Sequence, residues 1–158
     1  MSDPLVFMMG NFEARFPLDR YYVKNHMWAQ PDSSDSSDSR TFRFGFSAYA
    51  VRLLQDVYFL EWSIDEATNI REKQQIGSIE SKKAESDLFA PMSGKLTRLN
   101  ERLLQDPSGI NTDMYTEGWL FEMEGEPRES LLSPADYLEH LASVWEVTQR
   151  TIKGQLNE

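Results

Sequence analysis

Two adjacent lysines, Lys82 and Lys83, stand in the stretch GSIESKKAESDLFAPMSGKL (77–96), between a short apolar pattern and a proline-glycine turn. A primary amine on a four-carbon stem has two uses at such a place. It is a solvated surface charge, or it is an acylation point if the turn presents it rigidly. Acylation removes the charge and adds reach. The rest of the reactive inventory is thin. The chain has no cysteine, which excludes disulfides, thiolate metal sites and a thiol nucleophile, so any redox chemistry must be borrowed. Only His26 and His140 supply imidazole, and their separation gives weak support to a histidine zinc site or a histidine-driven triad. Neither a thiolate or histidine metal site nor a histidine-driven triad is therefore expected.

The elements that must position those lysines belong to a chain of 158 residues with 40% hydrophobic content, enough for one domain whose core is buried without staples. Lys plus Arg total 16 against 26 for Asp plus Glu, a net charge of -10. That charge repels phosphate backbones and anionic headgroups, so neither nucleic acid nor membrane is an expected partner. It suits basic faces on partner proteins, or simply solubility. The apolar run Leu5 to Met9 follows Asp3 and is shorter than the roughly 7–15 residues of a signal-peptide core. No apolar run approaches the about 20 residues of a membrane span. Asp3, Glu13 and Asp19 punctuate the start, unlike an acid-poor transit peptide. A cytoplasmic setting is expected.

QPDSSDSSDSR (30–40) reads as a solvated loop at the tip of a hairpin, because no apolar residue anchors it and Ser and Asp compete for local backbone bonds. Phe42, Phe44 and Phe46 then alternate with Arg43, Gly45 and Ser47, the period of a strand with one buried face. Ser47 stands ready to cap a short helix carrying Ala50, Leu53 and Leu54, before DVYFLEW returns to strand-forming residues. Further strands are expected at Gln75–Glu80, Leu88–Ala90, Lys95–Leu99 and Trp119–Glu124. Their close spacing suggests a compact antiparallel barrel or sandwich. A C-terminal helix opens with Ser133 as cap and Pro134 at its first position. Its apolar stripe of Tyr137, Leu138, Leu141, Val144, Trp145, Thr148 and Ile152 is expected to pack on the β core.

The flanks of the lysine pair carry a resemblance. ESKKAESDLFAPMSG resembles the lipoyl-attachment segment of glycine cleavage system H proteins, Glu-Ser-Val-Lys-Ala-Ala-Ser-Asp/Glu, a short apolar strand, then Pro-x-Ser-Gly. The family's lipoylated lysine falls on Lys83, with Lys82 in the place of the preceding valine. YYVKNHMW is similar to the family's Tyr-x-x-x-His-Glu-Trp, aligning His26 and Trp28. FRFGFSAYAVRLLQDVYFLEW resembles Val-Gly-Ile-Thr, a short helix and Gly-Asp-Val-Val-Tyr. NERLLQDPSGINTDMYTEGWLFEME is similar to the run that ends in Tyr-x-x-Gly-Trp-Leu, through Tyr115, Gly118 and Trp119. Together these cover Asp19 to Glu124 in order. Biotin carriers, with lysine between methionines, and the shorter dehydrogenase-type lipoyl domains fit less well.

The resemblance implies a mainly β fold with helices, a lipoyl/biotinyl-carrier-like barrel-sandwich hybrid with short helices and a longer C-terminal helix. Residues 1–18 would be an N-terminal extension, 19–126 the carrier domain with a Ser/Asp loop at 31–40, and 127–158 a helical segment packed on it. It implies a carrier subunit rather than an enzyme, bearing covalent lipoate on Lys83. That arm would shuttle an aminomethyl group between glycine decarboxylase, aminomethyltransferase and dihydrolipoyl dehydrogenase. A lipoate-attaching enzyme would be a fourth partner, with Glu80 and Gly94 at positions associated with its recognition. Asp87, Asn25 and His26 would line the cleft for the arm. Met27 stands where the family has the glutamate of His-Glu-Trp, Gln55 replaces a family glycine, and Lys82 and Glu85 add charge beside Lys83. Two alternatives stay open: an H-like lipoyl carrier for another pathway, such as lipoate relay or lipoate-dependent sulfur oxidation, and an interaction protein without the cofactor.

Overall fold

The structure, a computed structural model, describes residues 3–32, 41–126 and 130–157, with the side chains of 148 and 150–157 outside that set. In chain order the strands are β1 (Leu5–Met9), β2 (Phe12–Phe16), β3 (Tyr21–Tyr22), β4 (Met27–Pro31) and β5 (Thr41–Phe46). Helix α1 (Ala48–Leu54) leads to β6 (Val57–Trp62), β7 (Asn69–Ile70), β8 (Gln75–Ser81), β9 (Glu85–Phe89) and β10 (Gly94–Leu99). Helices α2 (Glu101–Gln105) and α3 (Gly109–Thr112) precede β11 (Phe121–Glu124), and α4 (Pro134–Asn157) ends the described chain. All strand pairs are antiparallel.

A six-stranded sheet in the order β3-β4-β5-β11-β10-β7 faces a three-stranded sheet, β6-β8-β9. The Phe42/Phe44 alternation points one face of β5 into the space between them, where Phe44 stacks on Phe121 with ring centroids 5.3 Å apart. Ile76 and Ile79 of β8, Leu88 of β9 and Leu96 of β10 fill the same core from both sides. Arg43, on the other face of β5, ion-pairs with Glu122 of the neighbouring strand at 2.8 Å. Gly45 is required by close packing: a Cβ there would come within 2.5 Å of the Trp28 ring. This is the barrel-sandwich carrier architecture with a C-terminal helix.

A second apolar cluster glues α4 to the outside of the large sheet. Tyr137 and Leu141 of the helix meet Phe16, Tyr22, Trp28 and Tyr49, and Tyr22 stacks on Tyr137 at 4.9 Å. The Ser133 hydroxyl accepts from the Asp136 N–H at 3.1 Å and so caps the helix. The stripe holds as far as Trp145; Thr148 and Ile152 lie outside the described side chains. Ser47 departs from expectation. It occupies the N-cap position of α1 without a side-chain cap bond, because its hydroxyl is held by the Tyr137 hydroxyl at 2.9 Å.

The run Leu5–Met9 is a strand. It closes on β2 through Gly10 and Asn11, with Gly10 at φ 66°, the left-handed geometry that tight hairpins favour. Phe7 packs edge-on against Trp145 of α4 and Tyr49 of α1, so the hairpin covers the helical side of the domain. The Ser/Asp loop at 33–40 lies outside the described residues, while the strands flanking it pair from Met27↔Phe46 to Pro31↔Phe42. Among the described residues no helix is long and apolar enough to cross a membrane.

Candidate functional site: the lysine turn and the cleft beside it

Strands β8 and β9 pair as far as Glu80↔Glu85, and the chain reverses in the next four residues. The Ser81 N–H donates to the Ala84 carbonyl at 2.8 Å, which leaves Lys82 and Lys83 at the corner. Ser81 itself is buried, and its hydroxyl works inside the turn. The oxygen accepts from the Ala84 N–H at 3.2 Å and the Lys83 N–H at 3.4 Å, and donates to the Ala84 carbonyl at 3.2 Å. From outside, the Lys82 N–H donates to the Asp56 carbonyl at 2.9 Å. The backbone is thus fixed while both lysine side chains are exposed, the combination that an attachment point needs.

Cross-strand register sorts the neighbouring residues into two faces. Leu60, Ile79 and Leu88 point into the core. Glu61, Ser78 and Asp87 stand in one row on the outer face, and Phe59, Glu80 and Glu85 in the next. Glu85 and Asp87 are exposed and Glu80 is half-buried. Like charges directly opposite each other destabilise a sheet, so the Glu80/Glu85 pair contributes nothing to holding the hairpin together. Phe59, at 42% exposure, and the adjacent Tyr58, at 61%, add an apolar element to this acidic face.

At the far end of β9 an open cleft of about 1120 Å³ is lined by Lys24, Asn25, Lys73, Phe89, Ser93 and Gly94, among others. Asn25 forms its lip. Its amide nitrogen donates to the Phe89 carbonyl at 3.3 Å, and its oxygen accepts from the Met27 N–H at 3.2 Å, so the residue ties the β3–β4 turn to the end of β9. Asp87 and Phe89, two apart on one strand, share a face between the lysine turn and this lip. Gly94 lies in the cleft wall, away from the lysine turn. A Cβ there would come within 2.3 Å of the Glu124 carbonyl oxygen, so the position needs glycine for backbone packing.

His26 lies elsewhere. It holds φ 70°, is absent from the cleft lining, and turns toward α4, where its Nδ1 is 2.8 Å from the Tyr137 hydroxyl. Its ring lies 4.6 Å from Tyr49 and 6.1 Å from His140. Burial, and then the neighbouring His140, push its pKa down to about 4. His140 is lowered as well, by burial and then by Lys24. Met27 is 2% exposed and belongs to the core between the sheets. The structure therefore groups Lys83, Glu80 and Asp87 on one hairpin and Asn25 and Gly94 around the adjoining cleft, and separates His26 from both.

The sequence reading missed Ser81 and the Asp56 carbonyl. A buried serine next to an exposed lysine pair, and an acidic residue after an apolar helix, carry no signal of their own before the strands are paired.

Comparisons with known proteins agree with this geometry. The profile of the family described as Glycine cleavage H-protein matches residues 20–144. A probable glycine cleavage system H protein of Natronomonas pharaonis is 38% identical over 128 residues, covering 80% of this chain and 96% of that protein. The glycine cleavage system H protein of Koribacter versatilis is 40% identical over 125 residues, 77% of this chain and 90% of its own length. Among solved structures, a glycine cleavage system H protein from Mycobacterium marinum superposes with a TM-score of 0.69 at 29% identity, covering 81% of this chain and 98% of that one.

Proposed function

Because the chain belongs to the glycine cleavage H-protein family, we propose that it is a lipoyl-bearing carrier of the glycine cleavage system, with Lys83 as the attachment residue. The observation that carries this reading is the turn itself: a backbone held by Ser81 and Asp56 with an exposed amine at its corner. The residues present fit the group. Lys83 offers its Nζ for an amide bond, and the face of Asp87 and Phe89 leads from it to a cleft with room for a chain-like arm. When bound, the lipoyl group supplies the dithiolane that a chain without cysteine lacks.

This chain's own residues bind and orient. Ser81 and the Asp56 carbonyl keep the arm's root in one direction, so that a docked partner meets the arm at high effective concentration. Asp87 is the carboxylate placed to face a cationic load. Asn25 shapes the lip through its two backbone bonds rather than by offering a free oxygen. Glu61 of β6, with Glu80, Glu85 and Asp87 of the hairpin, gives the three-stranded sheet a negative outer face. That face suits basic docking surfaces on glycine decarboxylase, aminomethyltransferase, dihydrolipoyl dehydrogenase and the lipoate-attaching enzyme, for which Glu80 is a reading point. Gly94 serves that recognition indirectly, by keeping the β10–β11 crossing in register. A cytoplasmic setting is part of this proposal, since all four partners must reach one turn.

Intact mass of the protein from its native host, compared with a Lys83→Arg variant, tests attachment. The expected result is one lipoyl adduct on the wild type and none on the variant; an unmodified wild type sinks the reading and leaves a cofactor-free interaction protein. One observation favours a second pathway: Met27 is buried and supplies no carboxylate at the place of the family's glutamate. If the lipoylated, reduced chain fails to accept aminomethyl from glycine and a glycine decarboxylase that loads an authentic H protein, the carrier serves another lipoate-dependent route.

A further inference from the structure

We propose that Asn111, on α3, is a positioning residue for the lysine turn, acting through the Gln55–Val57 linker; the inference rests on Lys83 being the attachment point. Gln55 ends α1 with φ 61° and ψ -143°, close to a region that residues with a Cβ occupy only when their surroundings over-determine it. Three hydrogen bonds supply that constraint. The Gln55 N–H donates to the Val51 carbonyl at 2.9 Å. The Asn111 amide nitrogen donates to the Gln55 carbonyl at 2.6 Å, and the Asn111 oxygen accepts from the Val57 N–H at 2.9 Å.

One side-chain amide therefore spans both sides of Asp56. Its reach is what matters, because the carbonyl between those two bonds is the one that accepts from the Lys82 N–H at 2.9 Å. Beyond Asp56, Val57 pairs with Ser81, the residue whose hydroxyl organises the turn from inside. The lysine corner thus hangs between two anchors. Ser81 holds it internally, and Asn111 holds it through a linker whose resting conformation is unfavourable without help. Asn111 in turn is fixed by close backbone packing of α3, since a Cβ at Gly118 would lie 2.4 Å from the Gly109 carbonyl oxygen. Without the Asn111 amide, Gln55 is free to relax toward ordinary dihedrals, and the Asp56 carbonyl swings away from Lys82.

The test uses the full chain in its apo form. Asn111→Ala is compared with wild type, with Gln55→Gly and with the double variant, in two readouts. The first is amide hydrogen exchange at Lys82, which needs no cofactor; Asn111→Ala should speed it about tenfold while the β5–β11 ladder stays protected. The second is the rate of Lys83 modification by a lipoate ligase with ATP and lipoate. That rate should also fall about tenfold, well within what a 1 Å misplacement can cost. Gln55→Gly, which adopts the linker conformation without strain, should restore most of both in the double variant. A merely structural role would lower stability without this selective pattern or its rescue. Unchanged Lys82 exchange in folded Asn111→Ala, or no rescue by glycine, overturns the proposal. If Asn111→Ala does not fold, Asn111→Asp carries the same test, because it keeps the acceptor for Val57 and loses only the donor to Gln55. If wild-type Lys83 is not modified at all, the carrier reading fails, and the exchange readout still decides the role of Asn111.

Discussion

Acid should loosen the α4 side of the molecule through one imidazole. His26 is pushed down to about 4 by burial and by the nearby His140, against an ordinary value of 6.5. Between those two pH values the unfolded chain binds a proton at this position that the folded chain refuses. Stability therefore falls as pH drops through the unfolded value, and the loss is complete once pH lies below the folded one. At full depth the shift corresponds to about 3 kcal/mol, and at pH 5, where most carboxylates are still ionised, to about 2 kcal/mol. The groups that face His26 from α4 and α1 are Tyr137, His140 and Tyr49. Of these only His140 is a second imidazole, and its lowered pKa acts in the same direction. The assay is urea unfolding at pH 7 and pH 5, for wild type and for His26→Asn, a residue that tolerates the left-handed backbone held at position 26. Wild type should lose about 1 M in midpoint on acidification at an ordinary denaturant slope, and the variant less than half of that. Equal losses in the two proteins would refute the assignment.

Other changes probe the turn and the cleft wall. Gly94→Ala drives a Cβ to within 2.3 Å of the Glu124 carbonyl oxygen; about 3 kcal/mol of stability should be lost, read as a lower urea midpoint, and an unchanged midpoint would return Gly94 to a direct recognition role. Ser81→Ala removes the hydroxyl that serves the Lys83 N–H, the Ala84 N–H and the Ala84 carbonyl. It should cost about 1–2 kcal/mol and raise amide exchange at Lys83 and Ala84, and protection at wild-type level would show the internal anchor to be dispensable.

The parts of the fold visible in the sequence were those in which one local rule acts alone. Phe42 and Phe44 alternate because one face of β5 is core, and the Ser133-Pro134 start with its Tyr137/Leu141 stripe is a complete helix signature. Where two rules compete, the reading failed. Ser47 looks like a cap, but tertiary packing brings the Tyr137 hydroxyl to it first. Leu5–Met9, too short for a signal core and given no element from the sequence, is a strand, because the Gly10-Asn11 turn lets it pair with Phe12–Phe16. Of the candidate site, the turn was legible through its motif: the lysine pair lies exposed at the β8–β9 corner, and attachment at Lys83 is the proposal built on it. Asn111 and Asp56 were not, because 54 residues separate Asn111 from Val57 and only the folded chain joins them.

The departure at position 27 has a physical reading in the way β4 is covered. Met27 faces the core between the two sheets, whereas Trp28, its neighbour, faces the cluster under α4. Both faces of the strand are buried over Met27–Ala29. A carboxylate placed at 27 on this backbone would be desolvated among apolar neighbours, at a cost of several kcal/mol unless it were protonated or paired. The thioether is therefore part of the packing that joins the sheets, and residue 27 would not be available to neutralise a cation on the proposed lipoyl arm. On the proposed carrier reading that task would pass to the outer face of β9, where Asp87 is exposed and on the same side as Phe89 at the cleft. If Asp87 carries the counter-charge, a cationic load would be held more weakly than by a walled carboxylate, because an exposed pair contributes only about 0–1 kcal/mol.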